Sequence, residues 1–534
     1  MALEPRPGCA LANGWTPVLR VDLQKARHPR IDPSFAGVYL AEPCLEGAVT
    51  HRPDEPALSI VKNEVNRERD EAMRMMCSKT MLKLWGTCLL MGFAGSAGAV
   101  PSFARQTGMA CAACHTVFPE LTPFGREFKL NGYVLDNIRQ IKGITIENRE
   151  TLSLNAIPPI SLMLQISYTH TGAALPDSAV TGALAKDGDI LFPQQASFFY
   201  AGKIADNLGA FVQLTYDGVG DSFGFDNTDI RYARHFDFGS DTDPNKHSLI
   251  VGVTLNNSPT VQDVWNTTAA WGFPYSASSV APSPIASTKL DSGSGGIGQN
   301  AAGLGAYAWF DDSLYAEFSL YGAAIRGGAH PLDSTQASVI HGISPYWRLA
   351  YEYRWDRNSL SVGTYGIVAK EHPGAGSPLA GPTDQFTDTA IDFQYQFIGE
   401  DNIFTVLSTY IHEDQKYDAS SLKGTNSSDT LKTFKLTGEY TYQRLIGGSL
   451  GYFDTAGSTD IVLYAPAAVG GSATGSPDSR GYVGEVNYLP WLNTKLQLQY
   501  VRYTKFNGSA TNYDGSGRNA SDNDTLYLLA WINF

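Results

Sequence analysis

Five consecutive residues, Cys111-Ala112-Ala113-Cys114-His115, hold the densest ligand chemistry in this 534-residue chain. Two thiols separated by two residues and followed at once by an imidazole suit covalent haem attachment. Each thiol adds to one haem vinyl group, and His115 is placed to reach the iron as proximal ligand. Three rival chemistries fit less well. A disulfide within so short a loop constrains almost nothing. A thioredoxin-type dithiol belongs in a βαβ context, which the surrounding sequence lacks. A zinc site needs two further ligands, and no second CxxC or suitably spaced His pair follows.

The elements that must position this motif are short. In "LTPFGREFKLNGY", Thr122 is an N-cap with Pro123 at the first helical position, and Gly132 is placed to stop the helix. Phe124 and Phe128, four residues apart, share one face. That face suits either the flat side of a porphyrin or ordinary protein packing. The predicted haem segment, residues 100–150, is too small to bury such a cofactor by itself. Something else in the chain must shelter it.

Upstream, "KTMLKLWGTCLLMGFAGSAGAV" sets Lys79 and Lys83 before a short apolar run and a small-residue ending at Ala99. This is the layout of a secretory signal peptide over residues 76–99. Residues 1–75 are Pro- and Arg-rich without periodicity and read as an over-extended start; a genuine extension ahead of a signal-anchor is the alternative. Of six cysteines (Cys9, Cys44, Cys77, Cys88, Cys111, Cys114), only the last two lie beyond the cleavage point. Residues 1–99 hold 12 basic and 11 acidic residues of the 39 and 53 in the chain, leaving 27 and 42 and a net charge of -15. The exported portion is therefore acidic, and no basic cluster points to nucleic acid.

From about residue 158 the chain breaks into strand-length pieces. In "YWRLAYEYRW", Trp347, Leu349, Tyr351, Tyr353 and Trp355 alternate with Arg348, Glu352 and Arg354. "FKLTGEYTY" and "TKLQLQY" repeat the pattern. Aromatics on one face and charges on the other predict a barrel with a wet lumen and a lipid-facing exterior. About sixteen pieces start near 158, 196, 208, 226, 247, 301, 313, 345, 359, 385, 402, 429, 446, 480, 494 and 524. Tight turns at 311–312, 356–358, 399–401 and 444–445 alternate with long polar loops, the longest spanning about 257–300. That rhythm is expected of short periplasmic turns and long external loops. A connection near 236–246 is too long for it. The chain ends "NDTLYLLAWINF", alternating to a terminal Phe534. The fold class is all-β: a sixteen-stranded antiparallel transmembrane barrel over residues 151–534, with the small helical haem segment in its lumen.

Together, "FARQTGMACAACHTVFPELTPFGREFKLNGY" and a following porin-like barrel resemble the outer-membrane monohaem cytochrome–porin fusions of iron-oxidising bacteria. The resemblance spans the exported chain in architecture, but its specific motif covers about thirty residues. It implies one haem c on Cys111 and Cys114, with His115 as axial ligand and the haem facing lumen or periplasm. It further implies electrons taken from extracellular Fe(II) and passed to a periplasmic c-type cytochrome or copper protein, in the manner of an iron:cytochrome c oxidoreductase.

The sixth iron position has one candidate by parity. In "SLMLQISYTH", Leu162, Leu164, Ile166 and Tyr168 alternate outward, turning Met163 and Gln165 into the lumen. A thioether ligand at Met163 raises a haem's potential, while the same Met equally fills space beneath a plug. Met109 is too near Cys111 to cross to the opposite haem face. His170 has outward parity; His235, His247, His330, His341, His372 and His412 are not ranked by sequence. Fe(II) takes carboxylates, and Asp187, Asp189, Asp221 and Asp226 lie in or near predicted external loops. Nothing resembles a hydrolytic triad or phosphate loop. Two other functions fit the same residues: a redox conduit for another donor or acceptor, and a solute porin plugged by its haem.

Overall fold

In the computed structural model, the described residues are 101–534 apart from 137, 144, 147–148, 151, 177–184, 240–245, 292–295, 324–337 and 374–380. The expected signal peptide and the residues before it lie outside them. Among the described residues, three short helices, α1 (Pro101–Thr107), α2 (Cys111–Cys114) and α3 (Pro123–Leu130), precede a closed antiparallel barrel.

The barrel strands are β1 (Ile160–Thr171), β2 (Ile190–Ala205), β3 (Leu208–Asp217), β4 (Ser222–Phe238), β5 (His247–Asn256), β6 (Ala301–Phe310) and β7 (Leu314–Ala323). β8 follows in two pieces, Ser338–Ile340 and Ser344–Trp355, both paired to β9 (Asn358–Pro373). The rest are β10 (Asp384–Ile398), β11 (Asn402–Tyr417), β12 (Ser428–Tyr442), β13 (Ile446–Gly457), β14 (Ser479–Trp491), β15 (Thr494–Lys505) and β16 (Thr525–Asn533). β16 closes on β1, with Ala530 opposite Ile166. Closure pairs the described barrel strands on both sides, the condition for crossing lipid with strands.

Alternation behaves as the sequence predicts. Leu349, Tyr351 and Tyr353 are about half exposed, at 50%, 54% and 53%, whereas Arg348 and Glu352 are fully buried in the lumen. Leu496, Leu498 and Tyr500 point out while Lys495, Gln497 and Gln499 point in. Near the tight-turn end the outside carries Tyr353, Trp355, Phe404, Tyr442, Tyr488 and Trp491, an aromatic girdle of the kind found at a membrane interface. The chain thus forms a porin-like barrel of the outer-membrane type, inverted relative to a soluble protein: polar inside, apolar outside.

The tight turns carry left-handed residues, Asp311 and Asp312 at φ 49° and 51°, as two-residue hairpins of this twist require. The predicted turn at 444–445 sits one residue earlier, with positive φ at Gln443 and Arg444. Around 236–246, β4 runs on to Phe238, opposite His247 of β5, so the connection is shorter than expected, 239–246, and most of it lies outside the described residues. β3 and β4 are joined on the long-loop side by only 218–221.

The largest departure concerns the 257–300 loop. It folds inward: Val261, Val264 and Trp265 are at most 1% exposed. Polar lumenal strands supply the reason, because loop backbone and side chains find partners there. Gln262 Nε2 donates to Glu317 (2.7 Å), Trp265 Nε1 to Glu352 (2.8 Å) and Tyr275 Oη to Glu439 (2.8 Å).

Candidate functional site

Residues 101–136 form a plug inside the tight-turn end of the barrel. α1 is pinned by Ser102 Oγ and Gln106 Nε2, each donating to Ala201 O at 2.9 Å. Its Phe103 stacks on Tyr133 with centroids 5.7 Å apart and meets the Phe128 ring edge-on at 5.1 Å. α2 is the Cys-Ala-Ala-Cys turn, closed by His115 N donating to Cys111 O (2.8 Å). α3 begins as expected: Thr122 Oγ1 accepts from Gly125 N (3.1 Å), Pro123 follows, and Gly132 ends the helix at φ 72°. Thr122 also donates to Ala113 O (2.7 Å), tying α3 to the motif. A Cβ on Gly125 would lie 2.2 Å from Cys114 O, so only glycine permits this approach.

One residue carries most of the docking. Arg126, fully buried, pairs with both oxygens of Glu352 (Nε 3.1 Å, Nη2 2.6 Å). Its remaining donors reach Leu121 O (3.0 Å), Gln394 (3.1 Å), Gln396 (2.7 Å) and Ser359 (3.0 Å). The guanidinium therefore joins the plug to β8, β9 and β10 with every donor used. Lys129 ties the plug to the infolded loop, donating to Val261 O (2.7 Å) and Asp263 O (2.8 Å). Asn266 Oδ1 accepts from Leu121 N (3.0 Å).

Between plug, loop and wall lies a cavity of about 470 Å³, within the range of small-molecule and cofactor sites. Cys114, His115, Met109 and Met163 all border it. Phe118, Phe124, Phe128, Phe199, Phe211, Trp271 and Trp531 form an apolar lining, and Gln165, Gln195, Gln213, Asp226 and Asp263 a polar part. The apolar lining suits the faces of a flat macrocycle, whereas Asp226 and Asp263 would repel carboxylate edges and Lys129 is the cation in the lining. Phe124 and Phe128 share the cavity, as their spacing predicts. Met163 is lumenal and 5% exposed, as its parity predicts. Cys111 is 4% exposed and does not border the cavity, so attachment through both sulfurs requires its side chain to swing towards the void.

His115 Nδ1 lies 3.3 Å from Glu120 O. Assigning the proton to Nδ1 leaves Nε2 with a free lone pair, the arrangement of a ligating imidazole. Burial lowers the His115 pKa to about 4, holding the ring neutral. Burial pushes the thiols up, Cys111 to about 12 and Cys114 to about 11. Dithiol exchange wants the opposite, a depressed thiol pKa. Arg444, in the β12–β13 turn, donates to His115 O (2.7 Å) and Thr116 O (3.2 Å). The motif thus sits at the mouth of the tight-turn end.

The acidic candidates separate. Asp226 borders the cavity, accepting from Gln299 Nε2 (2.9 Å) and Thr215 Oγ1 (3.2 Å). Asp187 accepts from Thr171 N (2.6 Å), Asp189 from Lys186 N (3.0 Å) and Asp221 from Tyr216 Oη (2.7 Å), all remote from the cavity. His170 is exposed, 3.6 Å from Asp187. Sequence reasoning misses Arg126, Lys129, Trp271 and Tyr275, whose roles depend on what crosses the lumen.

Neither a protein-family model nor a curated protein matches the sequence. Among solved structures, the outer membrane channel DcaP of Acinetobacter baumannii aligns at 12% identity and TM-score 0.38, covering 70% of this chain and 96% of that one. The in-vitro folded trimer form of OmpT, an outer membrane protein of Vibrio cholerae, aligns at 10% identity and TM-score 0.38, covering 70% and 98%.

Proposed function

We propose that this barrel is an outer-membrane cytochrome–porin that takes electrons from extracellular Fe(II) and delivers them to a periplasmic c-type cytochrome or copper protein. The observation that carries this reading is the apolar cavity of about 470 Å³, bordered by Cys114, His115 and Met163 and enclosed by a transmembrane barrel. Cys111 and Cys114 would hold a haem c, which would supply a one-electron iron centre in an otherwise insulating lipid layer. His115, kept neutral and oriented by Glu120 O, would hold its iron. Met163, on β1, borders the same cavity and would be a candidate second ligand. The phenylalanines and Trp271 exclude water, and Arg444 holds the motif near the mouth where a periplasmic acceptor docks.

A general conduit serving another donor or acceptor uses the same residues. A solute porin with a haem plug also fits the porin-like barrel, its lumen narrowed by the plug and the infolded loop. The deciding experiment is the visible spectrum of detergent-extracted protein before and after anaerobic Fe(II). Rapid appearance of the reduced c-type α-band supports the proposal. Reduction by dithionite but not by Fe(II) retains the haem and removes the iron oxidase role; absence of any haem band despite co-expressed maturation machinery rejects both.

A further inference from the structure

At the long-loop end, far along β9 from its tight turn, two histidines face each other. His372 Nε2 and His341 Nδ1 are 3.0 Å apart, with ring planes at 89° and centroids 4.9 Å apart. Continued unbroken, the hairpin register beyond Ser344 would set His341 directly opposite His372; the interruption of β8 shifts the pair to the diagonal. Ile340 stands opposite Glu371, whereas beyond Ser344 the register has slipped by two residues, with Tyr346 opposite Ile367. Gly342, at φ 71°, lets the extra residues turn. Bulges of this kind re-aim side chains. His341 N still donates to Lys370 O (2.7 Å), which makes His341 the diagonal neighbour of His372 on one sheet face. Glu371, on the opposite face, is engaged by Lys289 at 2.8 Å.

We infer that His341 and His372 form a divalent transition-metal site on the outer rim, separate from the lumenal cavity and independent of what occupies it. Two nitrogens held about 2.0–2.1 Å from one ion, at octahedral or tetrahedral angles, stand about 2.9–3.3 Å apart, and the observed separation falls in that interval. His372 is on β9, while His341 lies in the interruption of β8, where its backbone N–H is held by Lys370 O. Imidazole favours Zn²⁺, Cu²⁺, Ni²⁺ and Fe²⁺ over Mg²⁺ or Ca²⁺. Among the described residues no third side-chain ligand lies at this place. His341 is exposed and supplies the approach; His372 is 5% exposed and supplies the rigid half.

The test is Zn²⁺ titration by calorimetry of the untagged, detergent-solubilised full chain, beside His341→Ala, His372→Ala and the control His412→Ala. Wild type and control should bind one equivalent more than either pair variant, and Cu²⁺ bound to wild type should show nitrogen couplings in its electron paramagnetic resonance spectrum. Heat-shifted gel mobility verifies folding, and His341→Ala, at an exposed position, serves if His372→Ala does not fold. Equal Zn²⁺ uptake by wild type and His341→Ala, or Cu²⁺ without nitrogen couplings, would overturn the assignment and leave a plain imidazole–imidazole hydrogen bond. Neither result depends on a haem, so this inference and the cytochrome reading fail separately.

Discussion

Arg126→Met tests whether one ion pair holds the plug in the barrel. Breaking a buried pair by removing one partner costs about 3–5 kcal/mol, because a charge is left uncompensated. Here the stranded carboxylate retains Trp265 Nε1 at 2.8 Å and Arg354 Nε at 2.7 Å, so the lower end, about 3 kcal/mol, is expected. The cost falls on docking of residues 101–136 rather than on the barrel, whose ladders do not involve Arg126. A penalty of about 3 kcal/mol corresponds to roughly a hundredfold rise in the open population. Amide hydrogen exchange followed by mass spectrometry measures this directly when reclosing outpaces exchange. Plug peptides should exchange about a hundredfold faster while peptides of β10 and β11 keep their protection. Adding Glu352→Gln should restore part of the protection, since it removes the stranded charge. Plug exchange that stays within about threefold of wild type would refute the reasoning, as would equal loosening of plug and barrel.

Three further outcomes follow. Gly125→Ala places a methyl 2.2 Å from Cys114 O; overpacking of this sort costs about 1–3 kcal/mol, and the ratio of haem absorbance to protein should drop. Met163→Leu keeps the cavity's volume but removes the sulfur, so a redox titration should show a lowered midpoint potential with haem content unchanged; an unchanged potential removes Met163 as a ligand. Planar-bilayer recordings of the intact chain should show little conductance, because the plug and the loop containing Trp265 and Trp271 occupy the lumen. Open-pore conductance in the intact chain would favour the porin reading.

The barrel was legible residue by residue because strand alternation is a local property. Every second side chain faces lipid, and that requirement writes Leu349, Tyr351 and Tyr353 against Arg348 and Glu352 whatever the rest of the chain does. The same parity placed Met163 inside, and the N-cap at Thr122 with Gly132 beyond it placed α3. The Cys111–His115 spacing is equally local, being set by one turn of chain. What crosses the lumen is not a local property. A polar loop of 257–300 reads the same whether it extends into solvent or folds onto buried carboxylates at Glu317, Glu352 and Glu439. Arg126 and Glu352 are 226 residues apart, and no periodicity links them. Tertiary structure alone decided that the loop turns inward, that Lys129 and Asn266 join it to the plug, and that Cys114, His115 and Met163 border one cavity. It also set the two-residue slip in β8 that moves His341 from direct opposition to the diagonal of His372. Local sterics and solvent partition are written into neighbouring residues, whereas the partners of a buried polar group are set by closure of the whole barrel.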